Sequence, residues 1–143
     1  MLAFGVDKGV PNDQAGTQTR TSRTASQGKV LYCESEGSIL RAQSKLFEGA
    51  GFTVEHAIGR ATAEQALRKN TYDVVILGHT LTKDDRHHLP YMAKKLNEGT
   101  QVLVLHASGK HPAVDYAMDS RDGEKAVLAA LNSLVQQRLL VAS

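Results

Sequence analysis

Val30-Leu31-Tyr32-Cys33-Glu34-Ser35-Glu36, Asp73-Val74-Val75-Ile76-Leu77-Gly78 and Gln101-Val102-Leu103-Val104-Leu105-His106-Ala107 are three apolar runs that each stop abruptly at polar or small residues. Four consecutive apolar positions at 74–77, and again at 102–105, leave no polar face, as expected of strands covered on both sides. Between the runs the apolar residues recur at helical spacing, and strands alternating with helices make a parallel sheet. The sequence therefore predicts an α/β domain, a doubly wound five-stranded parallel sheet. In such a sheet reactive groups gather just past the carboxyl ends of the central strands.

Working outward, Val30 to Cys33 is the first strand. A helix over Ser38 to Glu48 follows, with Ile39, Leu40, Leu46 and Phe47 on or near one face and Gly49 and Gly51 as its stop. Thr53 to Ala57 is the second strand. Thr62-Ala63-Glu64-Gln65 has capping-box spacing and opens a helix to about Asn70. After Leu81 the chain is polar until Leu89-Pro90, and proline suits a first helical turn, so the third helix is expected to start late. Val114 to Met118 is the fifth strand. The last helix runs from Asp122 to Arg138, with Val127, Ala130, Leu131, Leu134 and Val135 as its apolar stripe.

Residues 29–138 thus form the domain and 139–143 a C-terminal tail. Residues 1–28 read as a flexible N-terminal arm, because Asp7 to Gln27 is crowded with Thr, Ser, Gln, Gly and Arg and has little to bury. Its run Arg20 to Ser26 has the composition of a docking strip or kinase target, but solvated polar tails look the same and are the plainer reading.

At 143 residues, 41% of them hydrophobic, the chain suffices for one domain with a single core. A formal charge of +2, evenly spread, argues against nucleic acid or an anionic membrane as partner. One cysteine forms no internal disulfide, and no stretch approaches the roughly 18 apolar residues of a membrane span. A reducing cytoplasm is the expected setting.

The three runs, with Asp73 before Val74 and Leu81 in the following loop, resemble a bacterial response-regulator receiver domain of the CheY-like, flavodoxin-like fold, over residues 29 to 138. The resemblance implies an acidic pair after the first strand, a phospho-accepting Asp after the third, a Thr or Ser followed by Ala after the fourth, and a Lys after the fifth. The acids hold Mg²⁺, while the hydroxyl and Lys contact the phosphate oxygens. Carried onto this chain, the acidic pair falls on Glu34 and Ser35, with Glu36 next in line as a partial substitute. The acceptor falls on Gly78, the hydroxyl on His106 followed by Ala107, and the Lys on Asp119, or on Ser120 if the alignment slips by one. With His79 these positions, Glu34, Ser35, Gly78, His106 and Asp119, form a relic phosphorylation pocket by analogy, with no catalytic residue. Only twelve residues separate His106 from Asp119. At roughly 1.5 Å per helical residue, the stretch Ala107 to Pro112 gives little more than one turn, so the fourth helix is expected to be short or missing.

Six histidines suggest a second possibility, a small flavodoxin-like domain that binds a metal or other small ligand through Glu34, His79 and His106. No pair of them has helical ligand spacing. A displaced acceptor at Asp84 or Asp85 is a third, weaker reading, since both lie several residues beyond the strand end. Cys33 ends a buried strand and reads as an inert core thiol. No nucleophile, base and orienting group share a recognisable spacing, and no glycine-rich phosphate loop follows the first strand. The expectation is a phosphorylation-independent signalling module that is not an enzyme, needs no cofactor, and works in trans through contact with a protein partner.

Overall fold

A computed structural model describes residues 26–106 and 113–142. The elements are β1 (Lys29–Glu34), α1 (Gly37–Gly49), β2 (Thr53–Ile58), α2 (Gly59–Lys69), β3 (Val74–Leu77), α3 (Lys83–Leu96), β4 (Gln101–Val104), β5 (Tyr116–Ala117) and α4 (Glu124–Ala142), with a 3₁₀ turn at Ser120–Asp122. All four strand pairings are parallel, in the order β2-β1-β3-β4-β5. The order reverses between β1 and β3, so a crevice opens where those two strands end.

Strand alternation sends successive side chains to opposite faces, and the core splits accordingly. On one face Val30 and Tyr32 of β1, Val74 and Ile76 of β3, and Leu103 of β4 pack against Leu40 and Phe47 of α1 and Leu131 and Leu134 of α4. The Tyr32 and Phe47 rings meet edge to face with centroids 5.2 Å apart. On the other face Leu31, Cys33, Val75, Leu77, Val102 and Val104 pack under α2 and α3. This two-sided cover is why β3 carries four apolar residues in succession, all of them buried.

Several boundaries differ from the sequence reading. Helix α2 begins at Gly59, a glycine at φ +79° that turns the chain straight out of β2, so Thr62 lies within the helix and caps nothing. Helix α3 begins at Lys83, two turns before Pro90. Its cap is Thr82, whose hydroxyl accepts from the Asp85 amide at 3.1 Å, and Asp84 and Asp85 place negative charge in the first turn, where the helix dipole favours it. Pro90 is an interior residue: it denies the Arg86 carbonyl a donor, a cost of about 3 kcal/mol that burial of its ring helps offset. Strand β5 is only two residues long, shorter than the Val114 to Met118 expected. Helix α4 continues through Ala142, past Arg138, so 139–142 extend the helix and form no separate tail. The expected arm lies outside the described residues up to position 25, and so does the expected short or missing fourth helix, at 107–112.

Thr82→Ala should cost about 1 kcal/mol in urea unfolding. A cost near zero would return the helix start to Pro90 and make Thr82 an ordinary loop residue.

Candidate functional site

The β1–β3 register pairs Cys33 with Leu77, and the Gly78 amide donates to the Cys33 carbonyl at 2.9 Å. Glu34 and Gly78 therefore leave adjacent strands side by side at the crevice. Glu34 is fully buried. Its carboxylate has turned into the space over Gly78: a Cβ built on Gly78 would stand 1.9 Å from Glu34 Cδ and 2.0 Å from both carboxylate oxygens. Gly78 has no positive φ, so lack of room, not backbone conformation, requires glycine here.

Three donors hold that carboxylate. Tyr32, two residues earlier and hence on the same strand face, donates its hydroxyl to Glu34 Oε2. Thr80 donates its backbone N–H to Oε1 at 3.0 Å and its hydroxyl to the same oxygen at 2.6 Å. The hydroxyl proton has nowhere else to go, because Thr80 Oγ1 already accepts from the Ser35 amide at 2.8 Å and the Glu36 amide at 3.2 Å. One threonine thus ties the β1–α1 turn and the β3–α3 loop to a buried acid. Burial and then the bond to Glu34 push the Tyr32 phenol far above its usual range. Burial and then the neighbouring Glu34 do the same to the Cys33 thiol, which leaves it un-ionised and a poor nucleophile, as an inert core thiol would be.

The other residues of the expected pocket do not converge on this point. Ser35 contributes its backbone N–H while the residue itself is exposed. His79 is exposed, and its carbonyl accepts from Arg86. His106 is exposed as well. Asp119 is held by Arg121, whose Nε lies 3.0 Å from both carboxylate oxygens. Those bonds keep the Asp119 carboxyl well below the usual carboxylate range, with His106 adding a smaller electrostatic pull. Among the described residues no group of three His, Cys, Asp or Glu side chains is arranged to hold a metal. The Glu34, His79 and His106 set therefore fails as a metal site: the carboxylate is buried and taken up by Tyr32 and Thr80, while both imidazoles face solvent. Asp84 and Asp85 belong to the first turn of α3, and Asp85 lies 4.0 Å from Arg60 on α2.

Tyr32 and Thr80 were not singled out from the sequence. The period of two that places Tyr32 and Glu34 on one strand face was a usable signal for the first. For Thr80 there was none, since it acts through loop geometry.

No family model and no curated protein matches the sequence. Solved structures do match in shape. A response regulator receiver domain protein from Clostridium thermocellum superposes with a TM-score of 0.69 at 19% identity, over 79% of this chain and 98% of that one. A response regulator receiver protein from Sinorhizobium medicae WSM419 gives 0.68 at 18% identity, over 82% and 99%. The signal receiver domain of an HD domain-containing protein from Pseudomonas fluorescens Pf-5 gives 0.72 at 16% identity, over 85% and 96%. The chain has the receiver fold. Within that fold the crevice between β1 and β3 is filled by the receiver-like domain's own Glu34.

Gly78→Ala should destabilise the protein by about 3 kcal/mol or more, because the new methyl group has no space. In a Glu34→Ala background the same change should cost at least about 2 kcal/mol less, the coupling expected of groups in direct contact. Urea unfolding of the four proteins measures this, and additive costs would mean that Glu34 does not stand over Gly78.

Proposed function

We propose that this receiver-like domain signals without phosphorylation, by contact with a protein partner, and that Glu34 permanently occupies the place where a phospho-accepting carboxylate would work. The observation that supports this most is the overlap of the Glu34 carboxylate with any side chain added at Gly78. Glycine provides no oxygen for an acyl phosphate. The nearest carboxylate accepts from three donors and is sealed from solvent, so it is not open to an incoming Mg²⁺ or phosphoryl phosphorus. A Lys to pair with phosphate is replaced by Asp119, which is engaged with Arg121.

On this reading the domain is not an enzyme. No activated nucleophile is present among the described residues, where the two groups beside Glu34, Tyr32 and Cys33, are held protonated. Its natural partners are protein components of a signalling pathway, met through the sheet-end loops or α4. Its input is the abundance of a partner or a ligand that binds two conformations unequally. No helix among the described residues is long and apolar enough to cross a membrane.

Incubation of the full chain with acetyl phosphate and Mg²⁺, followed by intact-mass measurement, should give no phosphoryl adduct. A stoichiometric adduct on the unaltered chain, mapped to any Asp or Glu, would overturn the proposal.

A further inference from the structure

On the face of α1 that flanks edge strand β2 lies an open groove of about 400 Å³, bordered by Ser38, Arg41, Ser44, Lys45, Glu48 and His56. It is remote from Glu34 in function, sharing none of the hydrogen bonds of that site. Residues three and four apart share a helix face, so 38, 41, 45 and 48 form one strip, with His56 of β2 opposite.

Three features of the groove point to one ligand chemistry. Arg41 and Lys45 make no ion pair with any described residue, so both are available to a ligand. Arg41 lies back over the start of α1, its Nη1 3.1 Å from where a Cβ on Gly37 would stand, so glycine at 37 leaves room for the guanidinium. The N-cap residue of α1 is an acid, Glu36, so the positive charge of the groove is that of Arg41 and Lys45. Finally, Ser44 is 1% exposed, and its hydroxyl has no hydrogen-bond partner. A buried hydroxyl left unpaired lowers stability, so one that persists on the wall of a basic groove calls for an acceptor.

We propose that this groove binds the phosphate group of a small phosphorylated molecule. Arg41 and Lys45 supply positive charge, Ser44 a hydroxyl donor and His56 an imidazole N–H. The phosphate sits toward Arg41, because Glu48 places negative charge at the far end, seven residues along the helix. The groove is larger than a phosphate ion and leaves space for the rest of a small metabolite.

The test is titration of the ¹⁵N-labelled full chain with inorganic phosphate, with ionic strength matched by sodium chloride. Saturable shifts of the amides of residues 37–48 and of His56 are expected. Arg41→Gln and Lys45→Gln should each weaken binding by about tenfold, as loss of a charge-assisted hydrogen bond does. Lys95→Gln, on exposed α3 surface, should leave binding unchanged. Ser44→Ala should weaken binding while leaving the unfolding midpoint equal or higher. Shifts that grow without saturating, that sodium chloride alone reproduces, or that survive Arg41→Gln would overturn the proposal and leave an ordinary solvated helix face. Unweakened binding with a lowered midpoint in Ser44→Ala would overturn the part assigned to that hydroxyl.

Discussion

A single carboxylate, that of Glu34, organises the carboxyl end of the sheet. Sealed from water at the switch point between β1 and β3, it must be met by donors or else destabilise the fold, and Tyr32 and Thr80 meet it from two different elements. The consequences spread outward from that requirement. Thr80 must sit with both its N–H and its hydroxyl aimed at the acid, which fixes the β3–α3 loop. Its oxygen then gathers in the first two amides of the β1–α1 turn, and Gly78 must remain without a side chain to leave the acid its space.

The fold does not depend on which groups stand at the ends of its strands. The two apolar layers that hold the sheet between α1 and α4 on one side and α2 and α3 on the other lie below the crevice. They are indifferent to which polar groups stand at the strand ends. Gly78 leaves a space at the end of β3, and the acid on the neighbouring strand fills it. The polar contacts around Glu34 tie the β1–α1 turn to the β3–α3 loop.

The sheet was legible in the sequence because its signals are local and strong. Val74 to Leu77 and Val102 to Leu105 have no polar face, and the glycines after Phe47 end α1 where expected. The start of α3 was misread because proline is favoured at a first helical position. Thr82, followed three residues later by Asp85, was the competing cap, and a buried Pro90 deep in a helix is the rarer outcome. The glycine that ends the β3 run was legible. The role of Glu34 was not, because one extra methylene decides whether a carboxylate lines a crevice or fills it, and sequence pattern carries no information on where that side chain turns. His79 and His106 had the chemistry of ligands but sit on solvent-facing loop positions, which residue type alone does not reveal.

The central claim is that the crevice is already occupied by the protein's own acid. A crystal structure of the unaltered chain grown with Mg²⁺ and beryllofluoride, a phosphoryl mimic, tests it most directly. The account predicts no metal and no beryllofluoride between β1 and β3, with Glu34 bonded to Tyr32 and Thr80. A bound Mg²⁺ with Glu34 drawn out of the space over Gly78 would contradict it.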